Sequence, residues 1–417
     1  MESWIVPLIS ILWKKKKMLS ALVSCAVVLT LVTGEASAAL ADDIIKKAPK
    51  DTPKVDGLVL DANDRLPSVT ARSAVVLEAR TGRVLYERNM DERRFPASTT
   101  KIMTLIVALE NGNLDDVVRV GKHAAGTEGS TLWLEEGDEI TLRELLYGMM
   151  MHSGNDATVA IAEHIAGSVD RFARLMTDKA HELGARDTNF VNANGLPDDA
   201  HYTTAHDMAL IAAYGYSLPE FEDIVSTKEI TFPWVKDDTH RLRNENQMLW
   251  LYEGGNGVKT GYTDAAGRCL VAGAKRDGIQ LVSVVLDSNW MWNDSILLLD
   301  YGFAHIDRTT VVREGTQVGT VAVTGGRTRR IGVQAKETVV LPAIDGAAGY
   351  EQQVDLPRDI KAPVKKGDVV GTLRVLYEGR EVATTDLVAM QGAERKSFFL
   401  TLWKNVSALL GIRTGGK

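Results

Sequence analysis

The sequence predicts an α/β protein of the α+β kind: an antiparallel sheet faced by a helical region, then a small all-β domain, then a C-terminal amphipathic helix. Three observations carry this reading. Short β runs open and close the first 300 residues, with helical periodicity between them. From about Arg308 the helical period is lost, and short β runs separated by Gly, Asp and Pro take over. After about Ala393 helical spacing returns with one apolar face.

At the N-terminus, Lys14 to Lys17 form a basic block, followed by an apolar run from Met18 to about Thr33 and the small-residue pattern Ala36-Ser37-Ala38. This is the pattern of a secretory signal peptide over residues 1–38. The apolar run is short for a membrane span, which disfavours an uncleaved anchor. Leu22-Val23-Ser24-Cys25 resembles a lipobox, but about half of the apolar run lies after Cys25 rather than before it. Residues 39–70 read as a polar lead.

The chain of 417 residues is too long for one ordinary core. Its formal charge of −7 becomes −9 once residues 1–38, with four Lys and two Glu, are removed. An acidic mature chain is not a general nucleic-acid binder. Only Cys269 remains after residue 38, so no intramolecular disulfide can form and the core must hold the fold.

Ala74 to Leu77 and Val84 to Tyr86 read as a hairpin turning at Thr81-Gly82. Pro96-Ala97-Ser98 opens a helix through Leu109, with Ile102, Met103, Ile106 and Val107 at helical spacing. Residues 141–183 are largely helical, as in Leu142 to Met151 and Ala157 to Ala166. Cys269 to Ala274 and Gln280 to Leu286 read as strands, and Asn293 to Phe303 as a closing helix. We therefore expect a catalytic domain at 71–307. The β runs Val311-Val312, Val318 to Val323, Ile331 to Val333, Val339-Val340 and Val369 to Tyr377 mark an all-β domain at 308–392. In the tail, 393–417, Phe398, Phe399, Leu402, Trp403, Val406, Leu409 and Leu410 share a face beside Arg395, Lys396, Lys404, Arg413 and Lys417. This suits an interfacial helix; the alternative is a helix docked on its own core.

Three short elements carry chemistry. Ser98 and Lys101 are three apart, on one helix face, in a first turn whose free N–H groups favour developing negative charge. Lys101 can take the Ser98 proton if burial and a neighbouring cation lower its pKa. Ser153-Gly154-Asn155 breaks an apolar helix. There Ser153 can shuttle a proton to the leaving group, and Asn155 can hydrogen-bond a substrate amide. Lys259-Thr260-Gly261 stands at a strand start after the flexible Gly254-Gly255-Asn256-Gly257. Lys259 and Thr260 can bind a carboxylate, and Gly261 leaves room for an acyl group. The backbone N–H of Tyr262 can join that of Ser98 in an oxyanion hole. Each element alone is common; the ordered trio describes serine acyl transfer with a lysine base.

The trio resembles the penicillin-binding protein and serine β-lactamase superfamily, and the finer pattern is similar to the low-molecular-weight D-alanyl-D-alanine carboxypeptidases. The similarity runs through Pro96 to Thr104, Ser153 to Ala157, Asn194-Gly195-Leu196, Thr204 to Ala209, Lys259 to Thr263 and Asp300 to Phe303. It implies a penicillin-binding, transpeptidase-like fold and removal of the terminal D-alanine from peptidoglycan stem peptides through a Ser98 acyl-enzyme. It also implies β-lactams as ligands, no metal or other cofactor, and a tail resting on the outer face of the cytoplasmic membrane. Two positions depart from the pattern. Asn194 stands where relatives often carry His, and Asn289 to Asn293 lacks an arginine many have, which leaves Lys259 and Thr260 as the main carboxylate anchors. A class A β-lactamase would usually show Ser-Asp-Asn and Glu-x-x-Leu-Asn, absent here. A DD-endopeptidase would use the same residues. A non-enzymatic wall-binding protein would be expected to have lost the serine or a lysine. A zinc peptidase is unsupported, since His201 and His206 are five apart in a loop and the chain has no His-Glu-x-x-His.

Overall fold

The computed structural model describes residues 66–236, 240–344 and 346–396. The expected signal peptide, most of the 39–70 lead and residues 397–417 of the tail lie outside them. The chain divides into two units, one of residues 1–54 and 59–70 and one of 55–58 and 71–417. The described part of the first, residues 66–70, forms no regular element.

The second unit is built on a five-stranded antiparallel sheet. Its strands are β1 (Ser73–Glu78), β2 (Val84–Arg88), β3 (Gly255–Thr263), β4 (Gly267–Arg276) and β5 (Ile279–Leu286), in the order β2-β1-β5-β4-β3. Every residue of β1 and β5 is buried. Strands covered on both faces carry near-continuous apolar runs, and Ala74-Val75-Val76-Leu77 and Leu281 to Leu286 do so. The consequence for function is that β3 is an edge, with one flank open to a ligand.

Between β2 and β3 the chain is mainly helical: α1 (Lys101–Asn111), α2 (Leu142–His152), α3 (Asn155–Ala166), α4 (Val169–Glu182) and α5 (Ala205–Gly215). α6 (Met291–Ala304) closes the region and packs, like α5, on β1 and β5. The helix starts follow from local chemistry. Thr141 and Glu144 form a reciprocal capping box for α2. Ser168 caps α4 and Thr204 caps α5, each accepting a backbone N–H. One core of side chains, including Phe172, Met149, Ile106 and Phe221, joins the helices to the sheet.

The structure corrects three local expectations. The helix expected from Pro96 begins only at Lys101, because Ala97 takes the left-handed region at φ 49° and Ala97–Thr100 forms a 3₁₀ turn. The break at Ser153-Gly154-Asn155 is only two residues long, for Asn155 is the first residue of α3. Lys259 lies inside β3 rather than at its start, since Gly255 and Gly257 before it belong to the strand. They do so because close contacts demand glycine: a Cβ at Gly255 would stand 2.4 Å from the Met248 carbonyl oxygen.

From Arg308 onward the described elements are all strands. The tail helix expected from Ala393 does not begin there: Ala393 and Arg395 bridge to Val364 and Gly326, because their backbone groups complete the edge of the β domain. β6 (Arg308–Val312) pairs with β9 (Val339–Pro342). A six-stranded sheet holds β7 (Gln317–Thr324), β8 (Arg330–Ala335), β10 (Glu351–Asp355), β11 (Asp359–Lys361), β12 (Val369–Tyr377) and β13 (Arg380–Ala389), in the order β10-β12-β13-β8-β7-β11. A core of its own, including Val333, Leu341, Leu373, Val375 and Leu387, fills these strands. Among the described residues no helix is long and apolar enough to cross a membrane.

Candidate active site

The Ser98 turn is gripped between two backbones. Gly195, at φ 88°, passes so close that a Cβ there would lie 1.9 Å from the Ala97 carbonyl oxygen and 2.9 Å from Thr100 Oγ1. On the other side, a Cβ at Gly261 would lie 2.9 Å from the Ser98 backbone nitrogen. Only glycine allows both approaches, and the Gly195 conformation also favours it. The result is a partly exposed serine on a turn packed closely against backbone on two sides.

Lys101 is fully buried beneath Ser98. Its Nζ lies 3.0 Å from Ser98 Oγ, 2.8 Å from Asn155 Oδ1 and 2.8 Å from the Asn194 carbonyl oxygen. The last two can only accept. Asn155 is oriented with its oxygen inward because its Nδ2 donates to the Glu128 carbonyl oxygen at 2.7 Å. A neutral lysine has two N–H bonds and one lone pair. Both N–H bonds are committed to the two carbonyl oxygens, so the lone pair is left facing the Ser98 hydroxyl. Burial, and then the nearby Lys259 ammonium, lower the Lys101 pKa well below the ordinary lysine value, while Glu245 and Asp156 oppose the shift more weakly. Geometry and electrostatics thus both suit the Lys101 amine to accept a proton.

Asp156 fixes the next layer. Its buried carboxylate accepts the backbone N–H groups of Leu132 and Leu134 and the Thr131 hydroxyl. That ties the 128–134 loop, which receives Asn155 Nδ2, to the start of the helix that carries Asn155. Ser153 closes α2 at φ 62°, buried, two residues before Asn155. Among the described residues its hydroxyl bonds to neither Ser98 nor Lys101.

Lys259 is 1% exposed on β3 and donates to the Thr260 carbonyl oxygen at 3.2 Å and Thr260 Oγ1 at 3.4 Å, both long bonds. Burial lowers its pKa to about 8, against Glu245, which raises it. It therefore keeps its charge at neutral pH and can attract an anion. Tyr262 projects to solvent at 60% exposure, its hydroxyl on Asp264.

The eight sequence-derived residues thus fall on three neighbouring elements: the Ser98 turn with α1, the α2–α3 junction, and the edge strand β3. The carbonyls of Asn194 and Glu128 escaped sequence reading, since every residue type carries one. Asp156, adjacent to Asn155, was visible but silent without its loop partners.

Residues 61–289 match the family described as D-alanyl-D-alanine carboxypeptidase, and residues 307–395 match the C-terminal domain of penicillin-binding protein 5. D-alanyl-D-alanine carboxypeptidase DacF of Bacillus subtilis (strain 168) is 35% identical over 347 residues, covering 80% of this chain and 88% of that protein. The solved penicillin-binding protein 5 from Haemophilus influenzae is similar at a TM-score of 0.56 and 30% identity, covering 80% of this chain and 100% of that one. A variant of the Streptomyces K15 DD-transpeptidase is similar at a TM-score of 0.55 and 34% identity, covering 57% of this chain and 100% of that one.

Asn155→Asp puts a carboxylate beside Lys101 and holds it protonated. Acylation by a β-lactam probe at neutral pH is expected to slow by about 100-fold, within the usual worth of a general base, and the rising limb of its pH profile is expected to move upward. Stopped-flow measurement of the profile checks this; an unmoved limb would contradict it.

Proposed function

The chain belongs to the D-alanyl-D-alanine carboxypeptidase family, and on that premise we propose that Ser98 is the nucleophile of its serine-type carboxypeptidase reaction. Its substrates are peptides ending in D-alanyl-D-alanine, as in peptidoglycan stem peptides, and β-lactams bind as analogues. In this reading Lys101 takes the Ser98 proton as Oγ attacks the carbonyl of the penultimate D-alanine. The backbone N–H groups of Ser98 and Tyr262 receive the oxyanion, a role supported by the close approach of Gly261 to the Ser98 nitrogen. Ser153 passes a proton to the leaving amine. The terminal D-alanine departs, and water hydrolyses the acyl-enzyme. Asn155 holds Lys101 and is placed to meet the substrate amide. Lys259 and Thr260 anchor the terminal carboxylate. The observation that carries this reading is the buried Lys101 set 3.0 Å from Ser98 with its other hydrogen bonds satisfied.

We also assign residues 71–307 to the catalytic domain, 308–392 to an all-β domain that Ala393 and Arg395 extend by bridging to Val364 and Gly326, and the remainder of the 393–417 tail to a helix resting on the outer face of the cytoplasmic membrane. Export by the 1–38 segment and the apolar face of the tail sequence support this placement.

D-alanine release from a peptide ending in D-alanyl-D-alanine tests the assignment. Ser98→Ala is expected to abolish release, and mass spectrometry is expected to find the penicillin adduct on Ser98. A substrate amidated at its C-terminus is expected to lose about 10–100-fold in kcat/KM, the usual scale of a charge-assisted hydrogen bond. Lys259 is protonated below its pKa, so kcat/KM for the free acid should decline as pH rises through about 8. Equal cleavage of acid and amide would remove the carboxylate role from Lys259.

The tail has a separate test. Deleting residues 397–417, which leaves the bridges of Ala393 and Arg395 to the β domain in place, is expected to abolish co-flotation with anionic vesicles while leaving D-alanine release from a soluble peptide unchanged. Unchanged flotation with a lowered melting temperature would instead place the helix on its own domain.

A further inference from the structure

The reaction described above leaves a buried titratable group that touches the nucleophile's turn without a task. His201 is 1% exposed, and its Nε2 lies 2.9 Å from Thr100 Oγ1. Thr100 is the last residue of the 3₁₀ turn that carries Ser98 and directly precedes Lys101. The histidine's tautomer follows from its other contact. The backbone N–H of Val191 points at Nδ1 at 3.2 Å, and a backbone amide can only donate. Nδ1 is therefore the acceptor, and Nε2 carries the proton and donates to Thr100. The ring packs edge-on against Phe190, with centroids 5.5 Å apart, and the His201 backbone N–H donates to the Asp198 carbonyl oxygen. The imidazole is thus held on both nitrogens, on a ring face and through its backbone.

The segment from Ala193 to His201 meets the nucleophile turn and α1 at three successive places. Thr104 Oγ1 donates to the Ala193 carbonyl oxygen at 2.6 Å, Lys101 Nζ donates to the Asn194 carbonyl oxygen, and His201 meets Thr100. Of the three, only the His201 contact holds the turn itself from below. Gly195 presses on the same turn beside Thr100. Removing the His201 contact frees the turn to move along the Gly195 backbone while Lys101 stays held by Asn155 and Asn194.

We infer that His201 is a positioning residue for acylation: its Nε2–H, through Thr100 Oγ1, holds the Ser98 turn in register with Lys101. Burial pushes the imidazole pKa down to about 4, so the neutral form that makes both hydrogen bonds prevails at working pH. The inference rests on Ser98 being the nucleophile. A small displacement of a nucleophile from its base is costly in rate, reaching about 100-fold for 1 Å.

The test uses the full chain and compares wild type, Thr100→Val, His201→Phe, His201→Gln and the double variant Thr100→Val/His201→Phe. Thr100→Val keeps the side-chain shape and deletes the hydroxyl. His201→Gln keeps an N–H close to where Nε2 stands. The measurements are the rate constant of acylation by a fluorescent penicillin, and kcat and KM for release of D-alanine. Thr100→Val and His201→Phe are each expected to slow acylation by about 10-fold with KM nearly unchanged, because Lys259 is not touched. The double variant should be no slower than either single one, since both remove one contact. His201→Gln is expected to recover most of the rate. Full-rate acylation in Thr100→Val, or losses that multiply in the double variant, would overturn the inference; Thr100→Val and His201→Gln keep that decision open should His201→Phe not fold. A wild-type adduct found away from Ser98 would overturn the underlying assignment instead, so the two failures can be told apart.

Discussion

A lysine amine with no exposed surface needs every hydrogen accounted for, and that requirement at Lys101 organises the rest of the site. Its two accepting partners must arrive from elsewhere in the fold. Asn155 reaches it only because α2 ends in a left-handed Ser153 and α3 starts at once, aiming the first side chain of the new helix at α1. The Asn194 carbonyl reaches it only because Gly195, next in sequence, can lie against the Ala97 carbonyl. Asp156 then holds the loop that orients Asn155. The chain spends conformational strain here, at Ala97 and at Ser153, where two non-glycine residues take the left-handed region. Both stand next to groups whose placement sets the chemistry.

The two lysines differ in task because they differ in company, though both are buried. Lys101 has two good acceptors that fix the direction of its lone pair, and a second ammonium nearby that discourages its proton. Lys259 has only long contacts to its own neighbour Thr260, so its donors are available to an anion. Glu245 favours the charged form of both. Lys259 therefore carries a proton at neutral pH while Lys101 is pressed to lose its own, so that one field suits both the anchor and the base of the proposed mechanism.

Much of this was legible in the sequence, for physical reasons. Ser98 with Lys101, Ser153 with Asn155, and Lys259 with Thr260 and Gly261 are side chains at short fixed spacings within three elements, and such spacing survives as a signal. Strands β1 and β5 were legible because burial on both faces leaves continuous apolar runs. The illegible parts share a different cause. The Asn194 and Glu128 carbonyls have no residue-type signature. The left-handed Ala97 defeats helix reading, because alanine is an ordinary helix former and nothing local marks the exception. Gly254 to Gly257 read as flexible, yet Gly255 and Gly257 are glycines because Met248, Tyr216 and Val225 leave no room for a Cβ. The β13 strand alternates Glu381, Thr384 and Asp386 with modest apolar residues and so carries a weak pattern, although its pairing with β12 makes it central. His201 was visible only as a histidine in a loop. Its partner Thr100 lies 101 residues earlier in the chain.

The central proposal is that the buried Lys101 amine gives up its proton far more readily than an ordinary lysine and so serves as the base, while Lys259 keeps its charge. Nuclear magnetic resonance of protein labelled at lysine Cε and Nζ, assigned with Lys101→Arg and Lys259→Arg variants, measures both titrations directly. The account predicts that the Lys259 amine titrates near pH 8 and that Lys101 is already neutral at the pH where acylation is fastest, far below the ordinary lysine value. A Lys101 resonance that remains that of an ammonium at that pH and titrates near 10.5 would contradict it.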